Sequence, residues 1–487
     1  MTGGTLSARL ATRCRSTRLG HDLLTVETDD LGPIPPEQRR GRASGLFTLW
    51  FSANIQFSAL TSGILGTAVF GLAFWQAAIA MIVGSVIGGA AVGAMSRLGP
   101  LYGVAQLVQS RAPFGVDGNR IIAALVFLKA AAWFAVETVL GIFILRALFG
   151  IGFTAAFAIS VVAQVLPALA GHHAIITVQR ILSWILTVVF VAVSIYALAN
   201  CDLGAGFNGA VAGPAGLTGG FILTVAVQVA RSVSFSAYAS DHSRYLPANT
   251  AGSAIVISSG AGVMIASAWI GCLGALIGTQ MTIGTPADLM KGFLPHTLGL
   301  ITLVALWLSN TTTACLDCYS GSMAALIAGV RINRWTSVLL IGTIGGVAGW
   351  VAGRGDFWDD FQTFLFLLGY WVAPWLGVMV GYFYIRRGHH ALSFDGRRVE
   401  VGLYAWLVGL IVCVPFMSQS LYTGPVAAAH PGLGDIAPAV GFLVSMIVCV
   451  VLMAIVNRPV SDLADPVPDD VRSLTTTTTT PRTRAHQ

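Results

Sequence analysis

Ser52-Ala53-Asn54-Ile55-Gln56-Phe57-Ser58 sits in the middle of an apolar run, Leu46 to Leu72, that is long enough to cross a bilayer. A continuous membrane helix has no use for Ser, Asn and Gln at its centre. Non-helical backbone at that depth survives only where protein or a water-filled cavity satisfies its amide groups. A second interruption, Arg231-Ser232-Val233-Ser234-Phe235-Ser236, falls inside the run Gly219 to Ser240. Two interrupted spans, five spans apart, are the pattern expected of two repeats arranged around a central site.

Outward from these breaks, the first half of the chain carries apolar segments at Leu46–Leu72, Phe74–Met95, Asn119–Phe149, Gly152–Leu169 and Ile175–Ala199. The second half adds Gly219–Ser240, Ser253–Thr279, Thr297–Val330, Trp335–Gly353, Phe361–Ile385, Val401–Leu421 and Ile436–Val456. The expected fold is therefore an all-α integral membrane protein of about twelve transmembrane helices: a 5+5 inverted repeat with two extra C-terminal helices. Residues 1–45 read as an N-terminal segment, 46–456 as the transmembrane domain and 457–487 as a disordered tail, where Thr475 to Thr480 form a low-complexity run.

Composition agrees with a membrane setting. Only 10% of the 487 residues are charged and 55% are hydrophobic, against about 25% charged in soluble domains. The net charge of +6 comes from Arg residues in loops, without a basic amphipathic helix or interleaved aromatic residues, so nucleic acid is not an expected partner. Arg97, Arg111, Arg180, Arg244, Arg331, Arg334, Arg386, Arg387, Arg397, Arg398 and Arg458 fall on the side of the Arg-rich N-terminus, whereas the loops Cys201–Thr218 and Tyr422–Asp435 hold no Lys or Arg. This asymmetry places both termini in the cytoplasm and the chain as a multi-pass protein in the cell membrane. No cleaved signal is expected, and oligomeric state is not legible.

Charge at mid-membrane depth costs roughly 3 kcal/mol or more, which makes Lys129, Glu137, Arg231 and Asp317 the most informative residues. Lys129, Trp133 and Glu137 recur every four residues and so share one helix face. An indole to stack on and a carboxylate to accept ring N–H or amino hydrogens suit a flat nitrogen heterocycle such as a nucleobase. The competing reading is a structural ion-pair network, Lys129 with Glu137 and Arg231 with Asp317, that locks helices together. Either acid also offers a titrating group for a transported proton.

Other signals carry less. Cys315-x-x-Cys318 lies in an apolar helix without companion ligands, the Asn310-Thr311-Thr312 sequon is too deep to be glycosylated, and His172-His173 and His389-His390 read as loop residues. No converging nucleophile, metal set or phosphate loop points to an enzyme, and no cofactor is called for.

Four stretches resemble the purine/cytosine permeases, the nucleobase:cation symporter family. They are Ser96-Arg97-Leu98-Gly99-Pro100-Leu101-Tyr102-Gly103 with Gln106, Ser110-Arg111, Phe114-Gly115 and Gly118; Trp50-Phe51-Ser52-Ala53-Asn54-Ile55-Gln56; Tyr238-Ala239-Ser240-Asp241-His242-Ser243-Arg244-Tyr245; and Asp317-Cys318-Tyr319-Ser320. They occur in the family's order between about Arg42 and Ile385. The resemblance implies the leucine-transporter fold and alternating access, hence a permease acting as a symporter.

It also implies site residues. Trp133 is similar to the family's stacking Trp, and Glu137 stands where Gln or Asn is common. Gln56 matches a polar first-span contact, and Phe235 a sixth-span aromatic that sandwiches the base. Ser232 occupies a position where some members carry Trp, and Asp317 that of a substrate-binding Asn. Two amides replaced by acids leave acceptors without donors, which favours cytosine, adenine, guanine or a cationic pyrimidine over uracil or hydantoins. In sodium-coupled relatives, first-span carbonyls and eighth-span hydroxyls hold the ion; these look like Ser52 and Ile55 with Leu308, Thr311 and Thr312. In the proton-coupled reading, Glu137 or Asp317 titrates. The alternatives are a transporter of another cationic heterocycle, such as a vitamin-related pyrimidine, and a transporter-fold receptor that binds without transport.

Overall fold

The computed structural model describes residues 31–170, 172–204, 215–281, 285–355, 357–386 and 398–456. The tail from 457, the first 30 residues and His389-His390 lie outside them. Each apolar segment expected from the sequence is helical. The first is split into α1 (Ala43–Asn54) and α2 (Phe57–Ile64), followed by α3 (Phe74–Tyr102), α4 (Val116–Phe149), α5 (Phe153–Ala170) and α6 (His172–Asn200). The second half has α7 (Gly216–Val233), α8 (Ala239–Ser243), α9 (Gly252–Gly278), α10 (His296–Ile327), α11 (Arg334–Ala352), α12 (Phe357–Val380), α13 (Val401–Cys413) and α14 (Ala437–Ile455). Nine helices among the described residues are long and apolar enough to cross a membrane; the shorter apolar helices are Phe57–Val69, Phe153–Leu169 and Val401–Phe416. The one departure from an all-helical chain is a two-residue hairpin pairing Ser418 with Thr423 and Gln419 with Tyr422.

Apolar side chains cover the outside as well as the inside, as a bilayer solvent requires. Trp184, Val188 and Ile195 on α6 and Ile447, Val451 and Ile455 on α14 are exposed. These peripheral helices surround a centre made of α1, α2, α4, α7 and α10, where polar side chains are buried.

Small residues bring the central backbones together. A Cβ on Gly63 would lie 1.9 Å from the Gly271 carbonyl oxygen, and one on Gly274 would lie 1.9 Å from that of Leu60, so α2 and α9 touch backbone to backbone. Gly89 and Gly93 play the same part between α3 and α9, where an added Cβ would come 2.6 and 2.7 Å from the carbonyl oxygens of Gly260 and Val256.

The loop after α3 is fixed by side chains quoted above for the resemblance. The Gln106 amide donates to Asp241 Oδ1 at 2.8 Å, Ser240 Oγ donates to the Met95 carbonyl at 2.7 Å, and Ser243 Oγ donates to that of Ser96 at 2.6 Å. Gly103 has φ +71°, and a Cβ there would run into the Arg39 guanidinium, which itself donates to the Pro100 carbonyl. Only glycine fits that turn.

Candidate transport site

The break in the first span is a real gap in the helix. Ile55 (φ −88°, ψ 82°) and Gln56 (φ −145°, ψ 164°) are extended, and α2 restarts at Phe57. Side chains answer the freed groups: Ser309 Oγ on α10 donates to the Ile55 carbonyl at 2.5 Å, and Asn54 Nδ2 donates back to that of Trp50 at 2.8 Å. Ser52 Oγ meets Gln179 Oε1 of α6 at 2.5 Å.

The break in the sixth span takes another form. Ser234–Tyr238 is a 3-10 turn between α7 and α8, so the chain tightens rather than opens. Its serines drive this: Ser234 Oγ donates to the Arg231 carbonyl at 2.7 Å and Ser236 Oγ to that of Val233 at 2.6 Å, three residues back in each case.

The four membrane charges are all buried, and the ion-pair network is not the one expected. Lys129 Nζ donates to the Ser234 carbonyl at 2.9 Å and sits 3.8 Å over the Tyr238 ring, a cation–π contact. Tyr238 donates its hydroxyl to Asp317 Oδ1 at 3.0 Å. Arg231 donates to Asn54 Oδ1 at 3.3 Å and to Ser267 Oγ of α9 at 2.6 Å. The Lys129–Glu137 and Arg231–Asp317 pairs are therefore not formed. Spacing on one helix face had suggested the first, but the 3-10 turn offers Lys129 a carbonyl and a ring instead.

Glu137 is fully buried, and neither of its carboxylate oxygens has a hydrogen-bond partner among the described residues. The charges whose field reaches it are those of Asp317 and Arg231. Trp133 Nε1, Gln56 Oε1 and both amide atoms of Asn310 are likewise buried and unpartnered among the described residues. In a protein interior such orphaned atoms need an explanation, and a polar ligand is the usual one. Asn310, passed over as an unusable sequon, belongs with these; an Asn in the apolar α10 carried the same signal as Asp317.

Two sequence candidates are placed elsewhere. A Cβ on Gly88 would come 2.1 Å from Ser232 Cβ, so Ser232 packs on the α3 backbone. Phe235 belongs to a cluster with Trp50 and Tyr238, at ring-centroid distances of 5.6 and 5.9 Å. Trp133 instead meets Phe364 and Phe361 of α12 edge-on at 5.2 and 6.3 Å. Neither phenylalanine had been singled out, because α12 reads as uniformly apolar. On the ion side, Thr311 and Thr312 donate to their own helix, to the carbonyls of Trp307 and Ser309, while Leu308 contributes no side-chain oxygen. The hydroxyl that reaches the first-span break is that of Ser309, which had not been picked. Helical phase explains the miss, since Ser309 and Thr311 lie on different faces of α10.

A family profile described as permease for cytosine/purines, uracil, thiamine, allantoin matches residues 33–441. The putative purine-cytosine permease YxlA of Bacillus subtilis is 30% identical over 454 residues, covering 88% of this chain and 96% of that protein. The purine-cytosine permease fcyB of Emericella nidulans is 25% identical over 477 residues, covering 90% of each. The fold matches that of Mhp1, a nucleobase-cation-symport-1 family transporter solved closed with bromovinylhydantoin bound, with a TM-score of 0.70 at 19% identity over 92% of this chain and 99% of that one. The chain is thus a multi-pass membrane protein of the transporter fold, and it belongs to the family of permeases for cytosine, purines, uracil, thiamine and allantoin.

Proposed function

We propose that this permease is a secondary symporter importing a purine, cytosine or a related amino-bearing heterocycle across the plasma membrane, driven by a proton or sodium gradient. The observation that carries this reading is the Glu137 carboxylate, buried with both oxygens unpartnered among the described residues, one turn from the Trp133 indole on α4. A carboxylate in that state needs donors, and an exocyclic amine beside a ring N–H supplies them in one plane. The indole offers a π face for the ring. Gln56 and Asn310 add amide groups from the other side of the site, which orients a planar solute.

Access alternates as the two halves of a 5+5 repeat move against each other, with the termini on the cytoplasmic side. In the proton reading Glu137 or Asp317 carries the coupling proton; in the sodium reading the carbonyls of Ser52 and Ile55 are the ligands on the first span. A cationic pyrimidine is the second substrate reading, favoured by the paired acids Glu137 and Asp317. The test is uptake of labelled adenine, cytosine and a cationic pyrimidine into proteoliposomes under proton or sodium gradients. Gradient-dependent uptake that Trp133→Ala abolishes is expected. Equal uptake after the gradients are collapsed removes coupling, and unchanged uptake by Trp133→Ala removes α4 from the site.

A further inference from the structure

Arg231 is unusual among the membrane charges because it touches the broken first helix. It is fully buried on α7, and its two terminal nitrogens bridge Asn54 Oδ1 at 3.3 Å and Ser267 Oγ at 2.6 Å. Ser267 Oγ in turn donates to Asn54 Oδ1 at 2.9 Å, closing a ring between α1, α7 and α9. No carboxylate lies within ion-pair distance of the guanidinium among the described residues. The buried charge is thus held by neutral oxygens.

Asn54 is the last residue of α1. The C-terminal end of a half-helix collects partial negative charge from carbonyls that have lost their helical partners. Such an end inside a membrane attracts a cation. Here the chain supplies one covalently, and the neighbouring Ile55 carbonyl already receives the Ser309 hydroxyl at 2.5 Å. Protein donors therefore serve both the last side chain of the half-helix and the first carbonyl of the gap.

We infer that Arg231 is a built-in, non-dissociating cation that neutralises the broken end of the first helix, in the place where a sodium ion would otherwise be required. Transport by this chain then needs no sodium, and the exchangeable positive charge of the cycle is a proton. Glu137 feels the same guanidinium, so loading of the carboxylate and retention of Arg231 at Asn54 are two states of one electrostatic unit.

The choice of proton rests on the symport reading; the role of Arg231 can be tested without it. Purified full-length protein is unfolded thermally in sodium chloride and in choline chloride at equal ionic strength, without substrate, and labelled adenine binding is measured in the same two salts. For the wild type the expected result is no saturable sodium effect on unfolding and a change in affinity of less than about twofold. A saturable, sodium-specific stabilisation of the wild type overturns the inference. Arg231→Ala is expected to lose binding by about tenfold or more and to recover it with either sodium or free guanidinium at non-denaturing concentration. A folded Arg231→Ala that neither ion rescues overturns the inference in favour of a purely structural clamp. Arg231→Lys keeps the charge, so it is expected to remain insensitive to sodium; sodium dependence in that variant also overturns it. If adenine and the other heterocycles fail to bind the wild type, the transport reading falls, while the unfolding measurements still decide the role of Arg231.

Discussion

Replacing Glu137 by Gln should move substrate affinity and stability in opposite directions. The carboxylate is fully buried and receives no hydrogen bond from any described residue. Removing its charge therefore breaks no contact in the resting protein, and it relieves an uncompensated ion, so the unfolding temperature is expected to hold or rise. Binding loses instead. Hydrogen bonds to a charged group contribute roughly 1.5–3 kcal/mol each and neutral ones about 0.5–1.5, so two donors on the ring lose about 2 kcal/mol between them. The amide also turns an N–H₂ toward one of those donors, which raises the loss to about 4 kcal/mol, or about 30- to 1,000-fold in Kd. Carbonyl-bearing rings, which can accept from that N–H₂, should gain relative to amino-bearing ones. The assay is equilibrium binding of labelled adenine and uracil alongside thermal unfolding of the same sample. A Kd for adenine within about threefold of wild type, together with a lower unfolding temperature, refutes the reasoning and marks Glu137 as a structural ion.

Asp435 gives a test outside the membrane-spanning helices. Its carboxylate accepts from the Tyr370 hydroxyl and from the amides of Ser418 at 2.9 Å and Ala437 at 3.1 Å, and burial pushes its carboxyl from 3.8 up to about 6. Between those values the folded protein holds more protons than the unfolded chain, so this group favours the fold more in acid, by on the order of 2–3 kcal/mol. The unfolding temperature of wild type relative to Asp435→Asn should therefore be higher at about pH 4.5 than at about pH 7, and an equal difference at both contradicts the linkage. Gly274→Val drives a Cβ to 1.9 Å from the Leu60 carbonyl oxygen and should cost about 3 kcal/mol or more, read as a large drop in unfolding temperature. Gly346→Ala, whose Cβ would meet only ordinary contacts at 3.6 Å, is the matched control and should be neutral or slightly stabilising.

The spans and the first-helix break were legible because hydropathy and a polar insertion inside an apolar run follow directly from what a bilayer tolerates. The i, i+4 repeat of Lys129, Trp133 and Glu137 likewise picked a face of α4 that the structure buries. Side-chain partners were less legible. Pairing Lys129 with Glu137 ignored the carbonyl that a 3-10 turn would present, and a turn type inside a helical run has no strong hydropathy signature. Ser309 and Asn310 were missed because the phase of α10 relative to the first span depends on packing and cannot be read from spacing alone. Ser232 was assigned to the site by position in the family, but Gly88 on α3 leaves a notch that its Cβ fills.

The backbone contact between α2 and α9 has a mechanical corollary. Where the Cβ of one helix would meet the carbonyl oxygen of the other at 1.9 Å, a shift of about one residue, 1.5 Å along the axis, would drive side chains such as that of Leu60 into the facing strand of carbonyls. The seam cannot slide or roll; it acts as a weld. With α3 joined to α9 through Gly89 and Gly93 in the same way, α2, α3 and α9 travel as one beam. The compliance left in the first span is then concentrated at Ile55 and Gln56, the two residues without helical geometry, which makes them the pivot on which α1 swings.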